Sequence, residues 1–267
     1  DVLDIKVGST GASKVFLGAT EVWTATPFDP VSTYGVGDKG EFKNYMDASN
    51  LNTALDGSGT VPTSGDPVGR AVDLAGAPAR AAPFTSARPT FIEEAGGLSY
   101  ILMGSANSTR LELESSLSDL TAVNDFTMLV VYSTNANQPP YILGRSFSDD
   151  AFALVSRDVS GTQARDTLAA SVNLTVNNTS ADDPSGDVVV VAMVKDGSEG
   201  RHYVNGTLVE TDTGLSTWSA DLSRADAFTA IRGDGNKIMV TYFIDRPLTS
   251  TELTNLMNWS MDEGGVA

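Results

Sequence analysis

Two runs, Phe126-Thr-Met-Leu-Val-Val-Tyr132 and Val188 to Val194, are apolar on both alternating sets of positions. A strand with one wet face alternates apolar and polar residues, whereas a strand covered on both faces does not. These two runs are therefore expected at the centre of a covered sheet. Shorter strand-like segments surround them: Ser99–Met103, Arg110–Leu113, Tyr141–Arg145, Ala151–Ser156, Leu168–Val172, His202–Val204, Thr207–Glu210, Ala227–Ile231 and Ile238–Ile244. Turn residues separate them at regular intervals, the pattern of a sandwich or barrel rather than of βαβ units. At 267 residues the chain is long enough for one all-β domain with a sizeable core.

The C-terminal third carries the clearest local signals. Arg201-His-Tyr-Val-Asn-Gly-Thr-Leu-Val-Glu210 reads as a β-hairpin, because Asn205-Gly206 suits a two-residue turn with positive φ at both positions. A plain two-residue register sets Val204 against Thr207, His202 against Val209, and Arg201 against Glu210 as an opposed ion pair. It also turns His202 away from the face shared by Arg201, Tyr203, Leu208 and Glu210. Further on, Thr249-Ser-Thr-Glu252 is a capping box, with Leu248 and Leu253 in the places of a hydrophobic staple. Leu253, Leu256 and Met257 give the helix that follows one apolar face.

Charge and residue usage narrow the chemistry. The net charge of -17, from 34 acids against 17 bases, argues against a nucleic-acid partner, since phosphate binding rests on Lys and Arg. With no cysteine there are no disulfides or thiolate metal sites. A single histidine, His202, removes most histidine-dependent zinc and triad chemistry. No apolar run approaches the ~20 residues of a membrane span.

Residues 1–25 read as a small module of their own. Val2 to Val7, Ser13 to Leu17 and the residues after Gly18-Ala19 suggest a three-stranded meander, with Leu17 opposite Thr20 and Val15 opposite Val22. That register groups Val15, Leu17 and Val22 on one face and leaves Phe16 and Trp23 on the other. Such a meander is too small to stand alone and is expected to dock through these five residues. Residues 26–90 are rich in Gly, Pro, Asp and Ser and poor in periodicity, which fits either a functional surface or a wrap held against a core. The sandwich core is expected over 91–267.

Phe126 to Tyr132, His202-Tyr-Val-Asn-Gly-Thr-Leu-Val209 and Tyr242 through Leu253 together resemble the concanavalin A-like (laminin G-like) superfamily over roughly 90–260. Asp56-Gly-Ser-Gly-Thr60, Asp66-Pro-Val-Gly69, Asp73-Leu-Ala-Gly76 and Ala87-Arg-Pro-Thr90 are similar to the lead-in of such domains in bacteriophage virion proteins. Gly11-Ala-Ser-Lys-Val-Phe-Leu-Gly-Ala-Thr-Glu-Val-Trp23 is similar to a hairpin module of phage and gene-transfer-agent structural proteins. The resemblance implies an all-β jelly roll over 26–267 with an N-terminal meander and one short C-terminal helix. It further implies a fibre, spike or decoration protein at the virion surface, assembled in the host cytoplasm among other virion proteins. A fibre or spike would be a homo-oligomer, such as a trimer, although no heptads show it.

Glycoside hydrolysis needs two carboxylates about 5–9 Å apart. Glu112-Leu-Glu114 puts two on one strand face, but the third acid of jelly-roll glucanases is missing. A lyase needs a His or Tyr base beside a charge-neutralising group, and the hairpin register separates His202 from Tyr203. The expectation is a chain that is not an enzyme and meets host-surface polysaccharide, with two alternatives: a depolymerase on the same fold, or a purely architectural decoration protein that binds no sugar. Sugar stacking needs exposed aromatics. Trp218, in a Ser/Thr loop, and Tyr141, after Pro139-Pro140, are the two expected. No cofactor is expected. Calcium is common in the superfamily and wants clustered oxygens, for which Asp149, Asp150 and Asp234 are the candidates, with Asp182-Asp183 as another acid pair, although acid pairs in loops read first as solvated turns.

Overall fold

The computed structural model describes residues 28, 30, 40–75, 79–83, 85–104, 109, 111–112, 125–133, 188–211, 213 and 237–265 with their side chains. It describes 6–7, 10–11, 14–17, 20–24, 113, 141–144, 153–158, 164–168 and 212 by their backbone. The strands are β1 (Lys6–Val7), β2 (Thr10–Gly11), β3 (Lys14–Leu17), β4 (Thr20–Thr24), β5 (Gly40–Asn44), β6 (Leu51–Asn52), β7 (Arg70–Ala71), β8 (Arg80–Ala81), β9 (Thr90–Glu93) and β10 (Ser99–Leu102). They continue as β11 (Glu112–Leu113), β12 (Phe126–Ser133), β13 (Tyr141–Gly144), β14 (Ala153–Asp158), β15 (Ala164–Leu168), β16 (Val189–Asp196), β17 (Glu199–Val204), β18 (Thr207–Asp212) and β19 (Lys237–Ile244). Helix α1 (Ser250–Gly264) follows.

The large sheet runs β18-β17-β16-β12-β19-β10-β9, with β5 also against β19. All its pairings are antiparallel. The far side of β19 is divided between two strands: β10 meets Lys237 and Ile238, and β5 meets Val240 to Ile244. A second sheet runs β11-β8-β7-β6, and a third β13-β14-β15. This is an all-β sandwich of jelly-roll type with one short C-terminal helix.

Both doubly apolar runs lie at the centre of the large sheet, and every residue of β12 is buried. One face sets Phe126, Met128, Val130 and Tyr132 in a core with Val191, Met193 and Phe243, and Leu51, Val68, Ala71 and Ala82 close over it. Phe126 and Phe243 stack there at 5.8 Å between ring centres. The opposite face packs Leu129, Val131, Val190, Ala192 and Tyr242 against Leu253, Leu256 and Met257 of α1. Neither face of β12 reaches water, which is why its sequence does not alternate.

The lead-in supplies structure the sequence did not announce. β5 enters the large sheet, and β6, β7 and β8 form most of the second one. Between β6 and β7 the Asp56-Gly-Ser-Gly59 loop is pinned by Asn52, whose Oδ1 accepts from Ala54 N at 2.9 Å and Gly59 N at 3.0 Å. Gly57 sits at φ +79°, a conformation that residues other than glycine adopt only with strain.

Several expected registers shift. Residues 1–25 form two separate hairpins among the described residues, β1 with β2 and β3 with β4, rather than one meander. Leu17 does face Thr20, but a bulge moves Val15 opposite Trp23 instead of Val22. Of the strand expected at Leu168–Val172 only Leu168 is described, at the end of β15, and Ala227–Ile231 falls outside the described residues. In the C-terminal hairpin the Asn205-Gly206 turn is present with φ of +45° and +77°. A bulge then places His202 opposite Glu210 and Arg201 opposite Thr211, so Arg201 and Glu210 are not an opposed pair. The extra residue on β18 is Val209, and such bulges accommodate strand twist.

The helix start matches its sequence signature. Thr249 Oγ1 accepts from Glu252 N at 3.3 Å, and Glu252 Oε2 accepts from Thr249 N at 2.9 Å. Arg246 donates two hydrogen bonds to the same carboxylate at 2.8 and 3.1 Å. These Arg246 bonds, opposed by partial burial and joined by those from Thr249, hold the Glu252 carboxyl down at about 2. Thr249→Ala is expected to lower unfolding stability by ~1 kcal/mol, with Thr249→Ser restoring most of it, measured by urea denaturation. An unchanged midpoint in the alanine variant would show that the cap is not holding the helix start.

Candidate functional site

β5 turns Glu41 and Lys43 to the side of the second sheet, Tyr45 follows on that side just past the strand's end, and Phe42 lies on the opposite face with α1. Its inward set is charged because cations and acids meet it there. Arg80 of β8 grips the Glu41 carboxylate with two hydrogen bonds, Nε to Oε1 and Nη2 to Oε2, the second at 2.8 Å. Its Nη1 donates to the Leu111 carbonyl at 3.2 Å. Lys43 Nζ donates to Asp73 and lies 3.6 Å from Glu41 Oε1. Asp73 also accepts from the backbone nitrogens of Phe42 at 2.9 Å and Ala75 at 2.8 Å. Tyr45 OH and Thr241 Oγ1 are 3.2 Å apart beside this cluster.

Two cations and two anions balance in this network. Burial pushes the Glu41 carboxyl up, but Arg80 and Lys43 outweigh it and hold Glu41 below the usual carboxylate range. For Lys43 burial is the larger influence and lowers the ammonium, against the pull of Glu41 and Asp73. The side chains of Glu41, Lys43, Asp73 and Arg80 are each 0–1% exposed. No solute reaches them without opening the sandwich. The network joins β5, β8 and the Asp73 turn, and its task is to hold the lead-in against the core.

His202 is fully buried. It shares a face with its cross-strand partners Met193 and Glu210, while Tyr203 packs on the helix side. Burial lowers its imidazole to about 4, so it is neutral at pH 7. The separation of His202 from Tyr203 therefore stands. Arg201 Nε lies 3.2 Å from Glu199 Oε1, its carboxylate partner in place of Glu210.

The expected site residues fall unevenly over the structure. Tyr141 opens β13, opposite Val155 of β14. Trp218, Asp149, Asp150, Asp182, Asp183 and Asp234 lie outside the described residues. Among the described residues no three His, Cys, Asp or Glu side chains gather to hold a metal. Glu112 is half-buried on β11, opposite Ala81, and Glu114 lies outside the described residues. Val15, Phe16 and Leu17 are on β3, and Val22 and Trp23 on β4. No described helix is long and apolar enough to cross a membrane.

The residues that reasoning from sequence passed over are Glu41, Lys43 and Arg80. Their only signal was charge at alternate positions of a short segment, which reads as a wet face.

No family model matches this chain. No curated protein matches it. Among solved structures it is similar to Trypanosoma rangeli sialidase in complex with sialic acid, at 11% identity and a TM-score of 0.54, over 96% of this chain and 37% of that one. It is similar also to the same sialidase in complex with 2,3-difluoro-KDN, at 12% identity and a TM-score of 0.54, over 85% of this chain and 33% of that one. A third is the binding domain of Paraclostridial Mosquitocidal Protein 1, at 9% identity and a TM-score of 0.50, over 65% and 46% of the two chains. At such identities the likeness is one of fold, and this chain spans about a third of the length of the sialidase chains. These matches correct the expectation that the chain is not an enzyme. Its fold recurs in sialidases, so the missing glucanase and lyase patterns do not make it non-catalytic.

Proposed function

We propose that this chain is a glycan-recognising jelly roll, displayed on a phage or phage-like particle. The observation that carries glycan recognition is the fold match over 96% of the chain to a sialidase in complex with sialic acid. The particle assignment is supported by the resemblances at Gly11 to Trp23 and Asp56 to Thr90, which are those of virion proteins. In this reading β3 and β4 attach the chain to the particle or to sister chains, and the sandwich meets surface polysaccharide of a host cell.

Binding of the purified chain to an array of bacterial and animal glycans tests recognition. The expected outcome is saturable binding to a restricted set of sugars, and a flat array would overturn it. Removal of residues 1–25 is expected to leave a folded sandwich that no longer joins the particle. Normal incorporation of that truncation would remove the docking role. A second reading, carbohydrate processing, is favoured by the sialidase matches themselves. It is tested by sialic acid release and by reducing-end formation on the sugars that bind.

A further inference from the structure

β17 pairs with β16 from Glu199 opposite Asp196 to Val204 opposite Val191. The next residue back along β16, Val190, is buried and meets the hairpin turn instead. There Asn205 N donates to the Val190 carbonyl at 2.8 Å, and Asn205 Oδ1 accepts from Val190 N at 2.8 Å. A side-chain amide thus takes the acceptor place that a further strand residue would fill. Without it a buried main-chain N–H loses its partner. The turn also lies beside α1: a Cβ on Gly206 would stand 3.5 Å from the Met261 methyl.

Asn205-Gly206 is the one Asn-Gly step in the sequence, and both residues are exposed. Such a step can modify itself. Gly206 N attacks Asn205 Cγ, the new N–C bond closes a five-membered succinimide, and the side-chain nitrogen leaves as ammonia. Water then opens the ring at either carbonyl. One product is aspartate. The other is isoaspartate, whose main chain runs through the former side chain and is one carbon longer. Glycine favours the attack because no side chain crowds its nitrogen.

The folded turn opposes this reaction. Its φ values of +45° and +77° mark a type I′ turn, in which ψ at the first position is about +30°. Ring closure needs Asn205 Cβ and Gly206 N nearly eclipsed across the Cα–C bond. The left-handed conformation sets them on nearly opposite sides of it. Reaching the reactive geometry therefore means leaving the turn and giving up both bonds to Val190. Local opening of that kind has to precede the chemistry.

We propose that Asn205 is a site of spontaneous deamidation which its contacts with Val190 hold closed, and that isoaspartate formed there keeps the β17-β18 hairpin from closing again. The extra main-chain carbon lengthens the two-residue turn, so Val204 and Thr207 no longer meet in register and Val190 loses both partners. A reversible opening becomes a permanent one. The inference is independent of what the sandwich binds.

The test keeps the full chain in mildly alkaline buffer, once native and once in denaturing urea, and follows aspartate and isoaspartate at 205 by peptide mapping. In urea Asn205 should be the first asparagine of the chain to convert. In the native chain its conversion should be slower by about tenfold or more, because only the opened fraction reacts. Equal rates with and without urea, or another asparagine converting first in urea, would overturn the proposal. Chains converted in urea and then refolded are compared with Asn205→Asp by hydrogen exchange. The isoaspartate chains should lose protection at Val189 to Val191 and at Arg201 to Thr207. Asn205→Asp keeps an acceptor for Val190 N without lengthening the main chain, and should keep the protection of the parent. Should converted chains fail to refold, native chains aged until partly converted give the same comparison. Parent-like exchange in the isoaspartate chains would remove the proposed lock. Equal loss in Asn205→Asp would assign the effect to the added charge and overturn the role given to the extra carbon.

Discussion

Arg80→Ala is expected to lower unfolding stability by ~3–5 kcal/mol, the cost of leaving a buried carboxylate without its partner. Glu41 is 1% exposed and receives two hydrogen bonds from Arg80. Lys43 lies 3.6 Å away but donates to Asp73, so it cannot take over the role of the guanidinium fork. The Leu111 carbonyl also loses a donor. Removing both charges at once gives the opposite expectation. In Glu41→Leu with Arg80→Met the Lys43–Asp73 pair remains, still neutral as a pair, and apolar side chains fill the space. Replacing buried pairs in this way is often neutral or stabilising. The double variant should therefore lie within ~1 kcal/mol of the parent, a strong departure from the single change. Urea midpoints for the three proteins decide it. A cost below ~1 kcal/mol for Arg80→Ala would show that water reaches Glu41 and that the network does not seal the lead-in to the core.

The same network explains why part of the fold was legible and part was not. β12 and β16 are buried on both faces, and an unbroken apolar run records that directly. The Thr249 box and the Asn205-Gly206 turn are local chemistry, complete within a few residues. β5 is different. Gly-Glu-Phe-Lys-Asn has its apolar residue under α1 and its charged residues in the interior, the reverse of what alternation suggests. Only partners 30 and 39 residues away make that burial tolerable. Bulges escaped for a similar reason. An extra residue at Val209 changes which side chain faces His202, and no turn residue marks it. The position of Tyr141 opposite Val155 likewise needed strand order and register.

Stability is expected to fall as the pH drops from 6.5 to 4, by about 3 kcal/mol in total, through His202 alone. The imidazole sits at about 4 in the fold because burial disfavours its charged form, against 6.5 when exposed. Above pH 6.5 neither state holds the proton, and the fold keeps its full stability. Between 6.5 and 4 the unfolded chain takes the proton and the fold does not, so unfolding gains ~1.4 kcal/mol per pH unit at most. Below 4 both states are protonated and the loss stops growing. Carboxylates act lower in the scale. Glu41, Glu94 and Glu252 are held below the usual glutamate range, so their contributions persist to more acid pH and fade only as it drops through their lowered values. The upper window belongs mainly to the histidine. Urea unfolding at half-unit steps from pH 7.5 to 4.5, on the parent and on His202→Gln, isolates the effect: the parent curve should slope and the variant curve should be nearly flat above pH 5. Parallel curves would mean that His202 exchanges protons with water in the folded chain. Glu210, its cross-strand partner, gives the companion variant. If Glu210→Gln steepens the parent slope, the carboxylate had been partly offsetting burial, and the inner face of the hairpin carries a His–Glu pair that tunes how the sandwich responds to acid.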